Sequence, residues 1–219
     1  VQTLYDGHDA RIPMVDIEDN EFCIDQGGTM NPTGPTHLDQ GPRVALRHPR
    51  RQDYDEIAAL TRASAELHRR WLGVHEPTVE AFERRLERFG RPTHEGYVIC
   101  LRETGAIVGG VNVNDILRGS RQCATLGFTA YATTTGRGYL TEGLGLVIRY
   151  AFGPLGLHRL EANIQPGNTR SLALVRRLGF RYEGFSPAFQ AIDGEWRDHE
   201  RWALVSGDVR PADGTSGHR

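Results

Sequence analysis

The sequence predicts an α+β domain: a mixed, mostly antiparallel central sheet with flanking helices. Three observations carry this. Strand patterns and helical stripes follow one another between residues 43 and 206 as strand, two helices, three strands, glycine turn, helix, strand, helix and hairpin. Two strand pairs are joined by turn residues, Glu103-Thr104-Gly105 and Asp193-Gly194, so sequence neighbours pair antiparallel. A turn through Gly136 and Gly138 joins a strand to an amphipathic helix, and a further strand, Leu160–Ile164, follows that helix.

Residues 1–42 mix Asp, Gly, Pro, Thr and His without sustained periodicity and read as a flexible leader. Both methionines, Met14 and Met30, fall there, and Met30 is the expected natural start. Val44 to His48 is a short first strand. A helix from about Tyr54 carries Ile57, Leu60, Ser64, Leu67 and Trp71 on one stripe. A second helix follows Thr78, a capping residue, with Val79, Phe82, Leu86 and Phe89 on one face. Tyr97–Leu101 and Ile107–Val113 form a hairpin. The central strand, Cys123 to Tyr131, alternates Ala124, Leu126, Phe128 and Ala130 with Thr125, Gly127, Thr129 and Tyr131.

Beyond the glycine turn, Leu144, Val147, Ile148 and Ala151 face the sheet. Gly143 and Gly145 each cost about 1 kcal/mol inside a helix, so close approach of neighbouring backbone or of a cofactor is expected there. Leu160–Ile164 is a strand. Asn168 caps a helix ending at Gly179, with Phe180 packing back. The last hairpin runs through Trp196 and Trp202 to Val205, and residues 207–219 read as a disordered tail.

At 219 residues, one domain with a sizeable core is expected. A net charge of −2 excludes a nucleic-acid footprint. Every basic side chain except the nine histidines is arginine, which reads as the coding bias of a GC-rich genome. Without lysine there is no Walker A loop, kinase strand lysine or pyridoxal Schiff base. Cys23, Cys100 and Cys123 lack metal-site spacing, so no metal is expected. No apolar run approaches a membrane span and the amino end is unlike a signal peptide, so a cytoplasmic protein without a membrane partner is expected.

A glycine turn opening a helix leaves backbone N–H groups at the positive end of the helix dipole, a phosphate cradle. An ordinary strand–helix connection would show the same two glycines. A dinucleotide fingerprint starting at Gly136 would want glycine at Thr141. A cradle without a metal motif suits a carrier such as coenzyme A.

Four patches together resemble the GCN5-related N-acetyltransferase (GNAT) superfamily, and within it the RimJ/RimL protein N-terminal acetyltransferases. They are Leu117 to Phe128, the turn Thr135-Gly136-Arg137-Gly138-Tyr139, His158 to Asn163 continuing to Asn168–Ser171 and Leu178–Phe180, and Ile192 to His199. The resemblance implies the GNAT acyl-CoA N-acyltransferase fold and acetyl-CoA as donor. The family turn reads Q/R-x-x-G-x-G/A; Gly138 satisfies it, while Thr135 and Leu140 depart from its first and last positions. It implies a diphosphate held by Thr135, Gly136, Arg137, Gly138, Tyr139, Leu140 and Thr141, with pantetheine running beside Phe128, Thr129 and Ala130 and touching Asn168.

Many GNAT enzymes use a tyrosine acid at the place of Val175, whereas the RimL-like pattern points to a serine, here Ser171. A hydroxyl at Ser171 bonded to its own helix backbone is the plainer alternative. The family's usual base positions match Thr125 and Gln190, neither basic. Glu161, Glu183, Glu195, Asp198 and His199 remain, and none is assigned. An α-amine, with a pKa of about 7.7 to 8.0, needs less help from a base than a lysine. Trp71, Asn112, Asn114 and Arg118 are expected around the acceptor. The expected activity is direct acetyl transfer to a protein N-terminal α-amine, of the ribosomal-protein-alanine type, by a monomer or homodimer. Acetylation of a small amine, amino acid or antibiotic, and an idle acyl-CoA-binding module, are the rival readings.

Overall fold

The structure, a computed structural model, describes residues 37–73 and 76–208. Met14, Met30, and most of the leader and tail set apart above lie outside the described residues. In chain order the strands are β1 (Asp39–Gln40), β2 (Val44–Arg47), β3 (Glu95–Leu101), β4 (Ile107–Leu117), β5 (Cys123–Ala130), β6 (Arg159–Ile164), β7 (Arg181–Ile192) and β8 (Glu195–Val205). The helices are α1 (Tyr54–Ala63), α2 (Ala65–Leu72), α3 (Val79–Phe89), α4 (Tyr139–Phe152) and α5 (Thr169–Arg177). One eight-stranded sheet runs β1-β2-β3-β4-β5-β6-β8-β7. Every neighbouring pair is antiparallel except β5 and β6, which are joined through the α4 crossover.

Alternation along the strands sends side chains into two cores. Tyr97 and Ile99 of β3 join Val111, Val113 and Leu126 under α4 and α5, against Leu144, Val147, Leu172 and Val175. Val98 and Cys100 point the other way, with Ile107 and Tyr131, against Ile57 of α1 and Phe82 of α3. Among the described residues no helix is long and apolar enough to cross a membrane.

The β5–β6 pairing fixes the site. It holds only from Cys123 to Thr125, opposite Arg159 to Glu161. Beyond Thr125 the strands part, leaving the backbone of Leu126 to Ala130 without a strand on that side.

Several expectations need correction. The single helix from Tyr54 to Trp71 is two helices broken at Ser64, whose backbone leaves helical geometry. Its buried hydroxyl donates to the Leu60 carbonyl at 2.7 Å and accepts the Ala132 N–H at 2.9 Å, a tie across 68 residues of chain. Val79, expected on an apolar face, is 48% exposed. At Gly143 the close protein neighbour is a side chain rather than backbone: an added Cβ would lie 2.3 Å from Ile99 Cδ1. Gly145 has open space around it. The caps hold as read: Thr78 accepts from Ala81 N at 3.2 Å, and Asp193 and Gly194 take positive φ.

Candidate active site

A cavity of about 650 Å³ fills the parting between β5 and the α5 side of the sheet. Its floor is Phe128, Thr129 and Ala130; one end is Thr135, Gly136, Gly138, Tyr139, Leu140 and Thr141. Asn168 and Ser171 of α5 wall one side, while His68 and Trp71 of α2 close the other. Residues scattered over more than 100 positions of chain thus share one lining.

The glycine turn has the backbone its chemistry requires. Gly136 and Gly138 both sit at φ 78°, the left-handed region that glycine enters without strain. Gly138 is the N-cap of α4 and offers no side-chain cap. The first intrahelical bond of α4 is Glu142 N–H to the Gly138 carbonyl at 3.1 Å. The amides of Tyr139, Leu140 and Thr141 therefore have no partner within the helix and stand at its positive end, beside the cavity.

A buttress fixes this turn from behind. Glu142 accepts the backbone N–H of Arg43 at 2.7 Å and of Val44 at 3.1 Å, and the Arg43 Nε at 2.8 Å. The same guanidinium donates Nη1 to the Arg137 carbonyl at 3.0 Å and lies over the Tyr139 ring at 5.0 Å. Partial burial pushes the Glu142 pKa up, but the hydrogen bonds from Arg43 and Val44 outweigh it and hold the carboxyl below its ordinary value. Gly41 allows the approach, since a Cβ there would come within 2.7 Å of Glu142 Oε1.

The sequence-derived residues separate cleanly. All of the expected donor contacts line the cavity except Arg137, which is exposed and contributes its carbonyl to Arg43. Thr135, standing where the family carries Gln or Arg, donates its hydroxyl to the Ala132 carbonyl at 3.1 Å. Asn168 caps α5, its Oδ1 accepting Ser171 N–H at 3.2 Å, and still lines the cavity. The Ser171 hydroxyl makes no hydrogen bond to any described residue, so it is not occupied by its own helix. Val175, at the family's tyrosine position, is 1% exposed in the core.

Of the expected acceptor residues only Trp71 reaches the cavity. Asn112 receives Arg85 Nη2 at 3.0 Å on the α3 side of the sheet, and Asn114 Oδ1 is buried without a partner. Arg118 turns away to the Leu155 carbonyl at 2.7 Å. The carboxylates considered as bases are also elsewhere. Glu161 is paired with Arg159 at 2.8 Å, and Glu183 with the same arginine, which holds its carboxyl below the ordinary range. Asp198 accepts the Ala188 N–H, and His199 is buried against the Arg197 carbonyl.

The residue that sequence reading missed is His68. Its Nε2 lies 2.7 Å from the Ala130 carbonyl oxygen. Among the described residues, no lining residue of the cavity is a carboxylate, and His68 is its one imidazole.

A profile described as the acetyltransferase (GNAT) domain matches residues 43–181. The chain belongs to the GNAT acetyltransferases. Among curated relatives, this GNAT chain is 33% identical over 135 residues to the probable N-acetyltransferase YjcK of Bacillus subtilis, covering 60% of this chain and 75% of YjcK. It is 39% identical over 105 residues to the [ribosomal protein uS5]-alanine N-acetyltransferase of Escherichia coli, covering 48% of this chain and about half, 54%, of that enzyme. Among solved structures, Mycobacterium smegmatis RimJ in complex with CoA-disulfide superposes with a TM-score of 0.69 at 27% identity, over 77% of this chain and 84% of that one.

Proposed function

We propose that this GNAT enzyme transfers acetyl from acetyl-CoA directly to the N-terminal α-amine of a protein, in the cytoplasm. The observation that carries the reading is the lining of the cavity, which brings unpaired amides, a bare strand edge and a free hydroxyl to one space. The free amides of α4 suit a diphosphate; the unpaired edge of β5 suits a pantetheine arm hydrogen-bonded like an added strand. RimJ, which holds a coenzyme A derivative, and the uS5-alanine enzyme lend support.

The chain's own groups then divide the work. Main-chain N–H groups of β5 beyond Thr125 can face the oxyanion, a contribution of about 3 kcal/mol at comparable sites. The unoccupied Ser171 hydroxyl can deliver a proton to the departing sulfur. A second cavity of about 380 Å³ lies between the end of α2 and the β7–β8 hairpin. Trp71 walls both cavities, so a chain entering the second can present its amine to the first. Among the described residues the second cavity's lining carries Arg69, Arg70 and Arg197 beside Asp193 and Asp198. Its extra volume suits the residues that follow an N-terminal amine better than a small metabolite.

The test is thiol release from acetyl-CoA against peptides differing in their first residue, beside amino acids, polyamines and aminoglycosides. Peptides should be acetylated at the α-amine, with turnover depending on the first residue. Turnover confined to small amines refutes the proposal. Calorimetric binding of acetyl-CoA with no turnover on any amine would identify an idle acyl-CoA-binding module.

A further inference from the structure

We propose that His68 is the general base of this enzyme, its Nδ1 taking the proton from the acceptor ammonium. The inference rests on the acetyltransferase reading. Among the described residues the cavity lining contains no Asp or Glu, and His68 is its one imidazole, the side-chain type most used to carry protons in catalysis.

The tautomer is set by the backbone. A carbonyl can only accept, so the 2.7 Å contact with Ala130 requires the hydrogen on Nε2. In the neutral ring the lone pair then lies on Nδ1, for which no described residue provides a hydrogen bond. Ala130 also fixes the ring at the bare edge of β5, where the donor's arm is proposed to lie. The charged and titratable neighbours are few. Tyr131 lies 6.4 Å away between ring centroids, and burial pushes its phenol up, so it stays neutral. Arg170 and Arg177 of α5 share the cavity lining, and Arg69 is adjacent on α2.

The protons balance. The ammonium gives one to His68 Nδ1 and becomes a nucleophilic amine. Its nitrogen bonds to the thioester carbon, the carbon–sulfur bond breaks, and the sulfur leaves with the electron pair. The second nitrogen proton goes to that thiolate through the Ser171 hydroxyl, leaving a neutral amide N–H. His68 returns its proton to solvent.

The discriminating variant is His68→Gln, whose amide keeps an N–H for the Ala130 carbonyl but has no basic nitrogen. H68Q should bind acetyl-CoA with unchanged calorimetric Kd and lose about 100-fold in kcat/KM for a peptide at pH 7. That deficit should shrink as pH rises through about 8, where the α-amine is neutral without help. Nitrogen NMR of the wild-type apo protein should show neutral His68 protonated at Nε2. Parity of H68Q with wild type, a deficit independent of pH, a weakened acetyl-CoA Kd that accounts for the loss, or an Nδ1–H tautomer would each overturn the assignment. Wild-type protein that acetylates no amine would sink the acetyltransferase reading and this inference together; H68Q at parity sinks this inference alone.

Discussion

Glu142 shows how one side chain holds a binding turn in place. Its two oxygens serve two backbone amides and a guanidinium, and that guanidinium reaches the turn's own carbonyl at Arg137. Replacing Glu142 by Gln puts an amide N–H where one carboxylate oxygen accepted, and should cost about 1–3 kcal/mol in urea melts at pH 7. The sign with pH follows from the lowered pKa. The carboxylate's contribution is complete above its unfolded-state value and is lost as pH falls through the lower folded-state value. The stability gap between wild type and E142Q should therefore close in acid; a gap that stays constant down to pH 2 would refute the network. Ser171 makes a different kind of prediction. Ser171→Ala should reduce kcat by about 10- to 100-fold while leaving acetyl-CoA affinity unchanged, because a thiolate with a pKa near 8.5 leaves tolerably without an acid. Unchanged kcat in S171A would remove it from the mechanism.

At the scale of elements, α4 carries two glycines with opposite meanings. An added Cβ at Gly143 meets Cδ1, Cγ1 and Cγ2 of Ile99 within 2.7 Å, so the branched side chain must move as a whole. Gly143→Ala should lose about 1–3 kcal/mol despite the better helix propensity of alanine. At Gly145 nothing lies within 4 Å, and Gly145→Ala should gain about 1 kcal/mol. Equal effects of the two substitutions in thermal melts would contradict the packing of α4 on β3. The α1–α2 break is the other consequential element feature. An uninterrupted helical stripe would keep Leu67 and Trp71 in the same core as Ile57; the break at Ser64 puts both in the cavity wall with His68.

For the whole molecule, the parting of β5 from β6 divides the sheet into two arms joined by three paired residues, and the proposed donor lies between them. A ligand that binds only this arrangement stabilises it by mass action. Coenzyme A at 100 times its Kd should add about 2.7 kcal/mol, read as a rise in Tm that grows with concentration. A Tm unmoved by saturating coenzyme A would place the ligand site outside this cleft or remove it. In the same architecture Asn112, Asn114 and Arg118 neighbour the cleft in the sheet order, while their side chains bond or bury away from the cavity.

By itself the sequence determined the order of elements from Tyr97 onward, the glycine turn, the hairpin at Asp193-Gly194 and the caps at Thr78 and Asn168. Each of these is settled by residues within a few positions of one another, through glycine's freedom at positive φ or a side chain reaching its own helix amides. Tertiary structure alone decided that α1 breaks at Ser64, that Glu142 reaches Arg43 across 99 residues, and that His68 meets the Ala130 carbonyl across 62. Those contacts depend on how the sheet curves and where its strands part. No local pattern of polar and apolar residues encodes the distance between two segments that meet only after folding.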